Sequence, residues 1–367
     1  MPGKALSCAK YAYGKRKTQE GRLSAVHKRL LVSSSPHYRA RESTRTVMLD
    51  VIIAMIPILA VSVIYFGWRA LTLTLVTVAS CVAFETLYNF IRRKNNTATD
   101  LSCIVTGMLL AFNLPVTAPY WIAVVGSAFA IIVVKMLFGG LGKNFANPAL
   151  AARAFLFAWP MLMTTFVRPL VGNQLSVFSD PLFTNGVTTN TVDAITTATP
   201  LKSLKAGVMP TQSILDMFMG NTGGCIGETC AAVIILGGLY LLFRRVITWH
   251  IPVAYLGTVA IITLFFPLTG EFFDYEFMLA ELFSGGLMLA AFFMATDYST
   301  CPMTSKGMLI FGVGCGALTV FLRYFSSYNE GVSYAILLMN VFAFSLDKVT
   351  KPRRFGIGGK KYDVEKK

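Results

Sequence analysis

The chain has 367 residues, of which 54% are hydrophobic and only 14% charged, with a mean hydropathy of +0.60. A soluble domain carries about 25% charged residues, so this composition excludes an ordinary water-soluble globule and indicates a polytopic membrane protein. The formal net charge of +15 would suit a nucleic-acid partner, but the basic residues gather at the two ends and in short connectors. Orientation in a membrane is the simpler cause, and no nucleic-acid partner is expected.

Taken in chain order, residues 1–46 form a basic segment, with Lys10, Lys15, Arg16, Lys17, Arg22, Lys28, Arg29, Arg39, Arg41 and Arg45 against Glu20 and Glu42. No apolar core follows within signal-peptide distance. The segment is therefore expected to be a cytoplasmic tail resting on anionic lipid headgroups, not a cleaved leader. Apolar stretches then follow at about 47–67, 69–91, 101–114, 119–138, 147–166, 225–244, 250–269, 277–296, 307–325 and 332–347, each set by length and hydropathy. The third is short and ends at Asn113-Leu114-Pro115, as a broken or half helix would.

The expected fold class is thus an all-α integral membrane protein of about ten transmembrane helices. With the N-terminus inside, the inner connectors hold Arg92-Arg93-Lys94, Lys143, Arg244-Arg245 and Lys306, and the basic tail 348–367 is inside too. The outer connectors are the uncharged stretch 115–119, the acidic stretch 271–276, and a long polar interlude at 167–224. This arrangement follows the positive-inside rule, with both termini cytoplasmic and the interlude outside. Five stretches (47–166) precede the interlude and five (225–347) follow it. Thr106-Gly107-Met108-Leu109-Leu110-Ala111-Phe112 echoes Gly286-Leu287-Met288-Leu289-Ala290-Ala291-Phe292. An odd number of spans per half makes the expected repeats inverted.

The seven cysteines contain no CxxC pair, and the five-residue spacing of Cys225 and Cys230 argues against a disulfide. His27, His37 and His250 are scattered, which leaves no catalytic triad and no metal cluster in view. Among acids near the membrane, Asp100, Asp297 and Asp347 lie at span ends, where reaching water costs little. Glu228 and Glu281 lie deeper and are taken as the ion-path pair, since charge at depth is expensive and usually functional.

Three stretches are too particular for generic membrane sequence. Phe138-Gly139-Gly140-Leu141-Gly142-Lys143-Asn144-Phe145-Ala146-Asn147-Pro148 combines turn-forming glycines with an Asn cap and a Pro at the first helical position. It lacks the order of a nucleotide-binding phosphate loop. Gly220-Asn221-Thr222-Gly223-Gly224-Cys225-Ile226-Gly227-Glu228 leads into the sixth stretch. Asp193-Ala194-Ile195-Thr196-Thr197-Ala198-Thr199-Pro200 reads as an exposed turn with free hydroxyls and small neighbours.

Together with Ser33-Ser34-Ser35-Pro36-His37, Asn113-Leu114-Pro115 and the run from Glu330 to Asn340, these motifs resemble RnfD, the D-type membrane component of the Rnf electron-transport complex. The B-type component of the sodium-translocating NADH:quinone reductase is similar. The resemblance covers about 31–352. It implies FMN joined through its phosphate to the last threonine of an SGAT-like motif, here Thr199, by a separate flavin transferase. The sequence departs from that motif by reading Thr196-Thr197 in place of Ser-Gly. No base neighbours Thr199, which suits a tether and not a nucleophile.

The resemblance further implies a non-covalent riboflavin, for which Asn144, Asn147 and Asp297 are the candidate contacts. For the two asparagines, helix capping is the competing reading. The implied partners are a second covalent-FMN component, the RnfA and RnfE membrane components, the soluble-facing RnfB and RnfC components, membrane lipid, and Na+ or H+. The implied activity couples ferredoxin:NAD+ electron transfer to ion export across the cytoplasmic membrane of a bacterium or archaeon. A component of the quinone reductase is the alternative within redox proteins. A secondary transporter with inverted repeats is the alternative from another class; it would explain the repeat but not the threonine motif.

Overall fold

Helices fill the expected apolar stretches in this computed structural model, which describes residues 43–93, 97–166, 199–228, 230–270, 272–326 and 331–351. Most of the N-terminal basic segment, the tail after 351, and the part of the interlude with Asp193, Thr196 and Thr197 lie outside the described residues. The main helices are α1 (Thr44–Phe66), α2 (Trp68–Ile91), α3 (Ser102–Phe112), α4 (Tyr120–Met136), α5 (Pro148–Leu156) and α6 (Ala231–Phe243). They continue with α7 (His250–Phe265), α8 (Tyr275–Phe283), α9 (Leu287–Met294), α10 (Ser305–Phe325) and α11 (Val332–Thr350). No strand occurs among the described residues.

Among the described residues four helices, α1, α2, α10 and α11, are long and apolar enough to cross a bilayer alone. α8 and α9 meet that test as a pair bent by 67°, and α3, α4, α6 and α7 are shorter apolar helices. The third stretch is broken as expected: α3 stops at Asn113, whose side-chain amide donates to the Leu109 carbonyl at 2.6 Å and so caps the end. The chain then turns through 115–119, where buried Arg69 donates to the carbonyls of Val116 (2.8 Å) and Ala118 (3.3 Å).

Two stretches differ from expectation. The eighth, expected as one span over 277–296, is interrupted at Ser284-Gly285-Gly286, where Gly285 takes a left-handed φ of +68°. Arg323 supplies a reason, because its guanidinium captures the Ser284 carbonyl at 3.0 Å. The fifth, expected over 147–166, ends at Leu156. Pro160 restricts Trp159 to ψ 70°, outside the helical region, and a separate short helix Pro160–Met163 follows.

α2 packs on α3 and α4, and α4 on α5; in the second half α7 packs on α8 and α10, and α10 on α11. The order of neighbours is therefore the same in both halves. α1 and α6 join them at close range: a Cβ added at Gly237 would lie 2.7 Å from the Ala54 carbonyl, the kind of approach that small residues permit between membrane helices. Asp50 on α1 reinforces this contact by pairing with Arg244 at 3.1 Å and accepting from the Tyr240 hydroxyl at 3.2 Å. Ile53, Ile56, Leu236 and Leu239 point outward from these helices.

Candidate functional site

The glycine-rich connector after α4 makes the tight turns expected of it, with φ of +112°, +91° and +83° at Gly139, Gly140 and Gly142. It folds back over a cavity of about 70 Å³ with an open mouth, enough for one edge of a ring system and smaller than a site that encloses a whole cofactor. Leu109, Phe292 and Phe293 provide apolar walls, and Ser102, Thr106, Lys135, Asn144, Asn147 and Asp297 provide polar ones. The three residues expected to contact a flavin are thus brought together here, but their side chains are not equally free.

Asn147 caps α5, accepting from the amides of Ala149 (3.0 Å) and Leu150 (3.5 Å), while its Nδ2 donates to the Met294 carbonyl at 3.2 Å. Its capping reading holds, and it also ties α5 to α9. Asp297 accepts from the hydroxyls of Ser299 (2.9 Å) and Thr300 (3.3 Å). Burial pushes its carboxyl above the usual carboxylate range, while the hydrogen bonds from Ser299 and Thr300 pull it back. Asn144 is different: its Oδ1 is buried without a hydrogen-bond partner. Such a group costs about 1–3 kcal/mol, which an occupant offering an N–H donor would recover.

A second cluster lies where α3 breaks. The Ile226–Glu228 turn packs directly against it, for a Cβ at Gly227 would come within 2.4 Å of Phe112 Cβ. The Ile226 amide donates to the Leu114 carbonyl at 3.1 Å, and the Ser62 hydroxyl donates to the Ile226 carbonyl at 2.6 Å. At this junction Arg153 of α5 donates to Asn113 Oδ1 at 2.6 Å and pairs with Glu228 at 3.3 Å, both side chains of the pair being almost wholly buried. Glu228 also accepts from the Cys225 amide at 3.3 Å, and it sits against Gly286, where a Cβ would lie 2.8 Å from Glu228 Oε1.

The other expected ion-path acid, Glu281 on α8, pairs with Arg323 of α10 at 2.5 Å, both side chains 2% exposed. The two acids therefore flank the Ser284-Gly285-Gly286 break but belong to separate ion pairs. A Cβ at Gly285 would lie 3.5 Å from Arg323 Nη2 and 3.8 Å from Leu201.

Leu201 belongs to a short helix, Pro200–Lys205, that packs on α8. The expected loose turn thus gives way to packed structure at Pro200, because Pro200, Leu201 and Leu204 are buried. Thr199 is half-buried at the N-cap position of that helix, yet its side chain makes no capping hydrogen bond. Lys205 holds the helix down by donating to the Ser326 carbonyl after α10.

Sequence reasoning missed the cations. Arg153 and Arg323, and the buried pair of Glu85 with Lys135, sit inside apolar stretches. The rule that intramembrane charge is costly and functional covers them as fully as it covers the acids near span ends, and it is the signal that finds them. Cys225 and Cys230 are free thiols.

Comparison with known proteins matches residues 31–356 to the model of the NQR2, RnfD, RnfE family. The chain is 48% identical over 334 residues to the D component of the Na(+)-translocating ferredoxin:NAD(+) oxidoreductase complex of Acetobacterium woodii, covering 89% of this chain and 96% of that protein. It is 39% identical over 337 residues to the D component of the proton-translocating ferredoxin:NAD(+) oxidoreductase complex of Clostridium ljungdahlii, with 89% of this chain and 96% of that protein covered. It is also 39% identical over 337 residues to the D component of the ion-translocating oxidoreductase complex of Stutzerimonas stutzeri, covering 86% of this chain and 93% of that protein.

Proposed function

The chain belongs to the NQR2, RnfD, RnfE family, and on that footing we propose that it is the flavin-bearing membrane subunit of an ion-translocating ferredoxin:NAD+ oxidoreductase complex. The observation that carries the flavin reading is Thr199. Its hydroxyl occupies a helix N-cap position without taking up the capping hydrogen bond, so it is uncommitted at the place where the family resemblance puts an FMN phosphoester. The Pro200–Lys205 helix behind it gives that tether a fixed base on α8.

The cavity between the glycine-rich connector and α9 is read as the place where one edge of a second, non-covalent flavin enters, with the rest of the ligand at its open mouth. Asn144 offers an unpaired acceptor, Asn147 and Asp297 shape the wall, and Phe292 and Phe293 provide apolar faces for an aromatic ring system. A bound isoalloxazine would supply the electron chemistry, and the chain supplies position and electrostatics.

The architecture is read as two inverted repeats of five membrane segments, with the Thr199 interlude outside and both termini in the cytoplasm. Support comes from the shared order of neighbours and from a basic residue near the end of the fourth helical stretch of each half. Lys135 reaches the third stretch of its half at Ser102, the first residue of α3, and Arg323 reaches the third stretch of its own half at Glu281 and Ser284, beside the break between α8 and α9. Glu228 and Glu281 border the proposed ion path, where a passing cation competes with Arg153 and Arg323 for each carboxylate. Relatives bear names for sodium and for proton translocation, so one framework serves either ion. The other members of the complex and a flavin transferase are its partners.

The test is flavin fluorescence of the chain on a denaturing gel, produced in a host that has the transferase. A fluorescent band lost in Thr199→Ala and kept in Thr196→Ala and Thr197→Ala supports the tether. A dark wild-type band, in a host that has the transferase, sinks the covalent flavin.

A further inference from the structure

The ion pair of Glu85 and Lys135 lies deep between α2, α3 and α4, with side chains 0% and 2% exposed. A buried pair of this kind costs several kcal/mol of desolvation per ion, and apolar replacements of similar volume are often no less stable. Packing alone therefore gives little reason for it. Its connections are more informative, because they run in both directions.

On one side, Lys135 Nζ donates to Glu85 Oε2 at 2.5 Å and to the Ser102 hydroxyl at 2.8 Å, and both Lys135 and Ser102 line the cavity. On the other side, Glu85 Oε1 accepts from the Thr97 hydroxyl at 2.6 Å, and Asn89 steadies that hydroxyl by donating to it at 3.0 Å. Thr97 is exposed on the connector after α2. An unbroken series of short hydrogen bonds thus joins solvent to the cavity wall. Its packed surroundings contribute the thiols of Cys81 and Cys103 and the side chains of Ile131 and Met136, which keep water away from the middle of the series.

We propose that Thr97, Glu85, Lys135 and Ser102 form a proton-transfer chain from the solvent at this connector to the occupant of the cavity. The proposal rests on the reading of that cavity as a flavin site: the acceptor is a ring nitrogen or oxygen of a flavin-class heteroaromatic that gains electrons from the oxidoreductase complex. For each proton delivered, an N–H bond of Lys135 breaks as the acceptor gains its hydrogen, directly or by way of the Ser102 hydroxyl. Lys135 regains a proton through Glu85, which takes it from the Thr97 hydroxyl as that hydroxyl takes one from water. One proton moves from solvent to the cavity, and no other bond changes.

The test uses the purified, assembled complex, reduced by rapid mixing in H2O and in D2O, with acid-extractable flavin measured for every preparation. Lys135→Arg keeps the positive charge and much of the length, but a guanidinium does not give up its proton. Thr97→Val removes the hydroxyl shared by Glu85 and Asn89, and Thr97→Ser restores it; unfolding of each variant by added SDS separates loss of the relay from loss of the fold. At unchanged flavin content, Lys135→Arg and Thr97→Val should each slow the isotope-sensitive phase of reduction by about ten-fold or more, and Thr97→Ser should run at the wild-type rate. A carboxyl band in the reduced-minus-oxidised infrared difference spectrum should disappear in Glu85→Gln. Wild-type rates and isotope effects in both Lys135→Arg and Thr97→Val overturn the proton chain. Absence of extractable flavin from the wild-type complex overturns the cavity reading beneath it.

Discussion

Replacing Arg153 with Met tests whether the junction between the two halves is held by charge. The substitution keeps much of the side-chain volume but leaves the Glu228 carboxylate, about 3% exposed, with the Cys225 amide at 3.3 Å as its remaining donor. Leaving one member of a buried ion pair behind costs about 3–5 kcal/mol. Asn113 Oδ1 also loses its 2.6 Å donor, and an unsatisfied buried acceptor costs about 1–3 kcal/mol. Both losses arise at one site and overlap, so about 4 kcal/mol is the working figure. That corresponds to roughly a thousand-fold shift in the folding equilibrium.

The assay is unfolding of the solubilised chain by added SDS, followed by circular dichroism. Glu228→Met alone should cost less, because Arg153 keeps Asn113 as a partner. The double substitution to Met at both positions should recover at least about 2 kcal/mol relative to the sum of the single changes. An Arg153→Met protein within about 1 kcal/mol of wild type, or a double variant equal to the sum, would refute a charge-held junction.

Other consequences can be checked in the same preparations. Gly227→Ala drives a Cβ to 2.4 Å from Phe112 Cβ, an atom fixed to the backbone, so a loss toward the upper end of about 1–3 kcal/mol is expected in the SDS assay. Gly238→Ala instead meets the Phe292 ring at 2.4 Å; that ring can swing into the cavity, so extractable flavin should fall while the covalent band at Thr199 stays. Asn147→Ala removes a helix cap and should lower stability by about 0.5–2 kcal/mol. Asn144→Ala removes an unpartnered acceptor and should lower flavin retention without that loss.

Burial raises the Asp297 carboxyl above its ordinary range, so the folded chain holds this proton more tightly than the unfolded chain. The associated stability is complete below the ordinary carboxylate range and is lost as pH rises through the raised value. As pH is lowered through the carboxylate range, melting temperature should therefore fall more steeply in Asp297→Asn, which lacks this gain, than in wild type.

The apolar stretches, the early stop of α3 and the Asn147 cap were legible from residues alone, since hydropathy, an Asn-Leu-Pro run and an Asn-Pro pair act within a few residues of themselves. The break between α8 and α9 was less so. Ser284-Gly285-Gly286 permits a bend, but Arg323, about 40 residues further along the chain, captures the Ser284 carbonyl and makes it. Thr199 is proposed as an acceptor from its motif alone, whereas its half-buried place on a packed helix depends on α8 and on the chain after α10.

The sequence by itself determined the membrane class, the charge asymmetry and the family, because these depend on composition and on motifs in order. Tertiary structure decided the pairing of charges. Glu228 and Glu281 read as a matched couple of ion-path acids, but each is held by its own arginine, while Glu85 and Lys135, fifty residues apart, meet at the cavity wall. A charge in an apolar stretch announces that a partner must exist, since isolation at depth is too costly. Which partner it finds is set by helix packing.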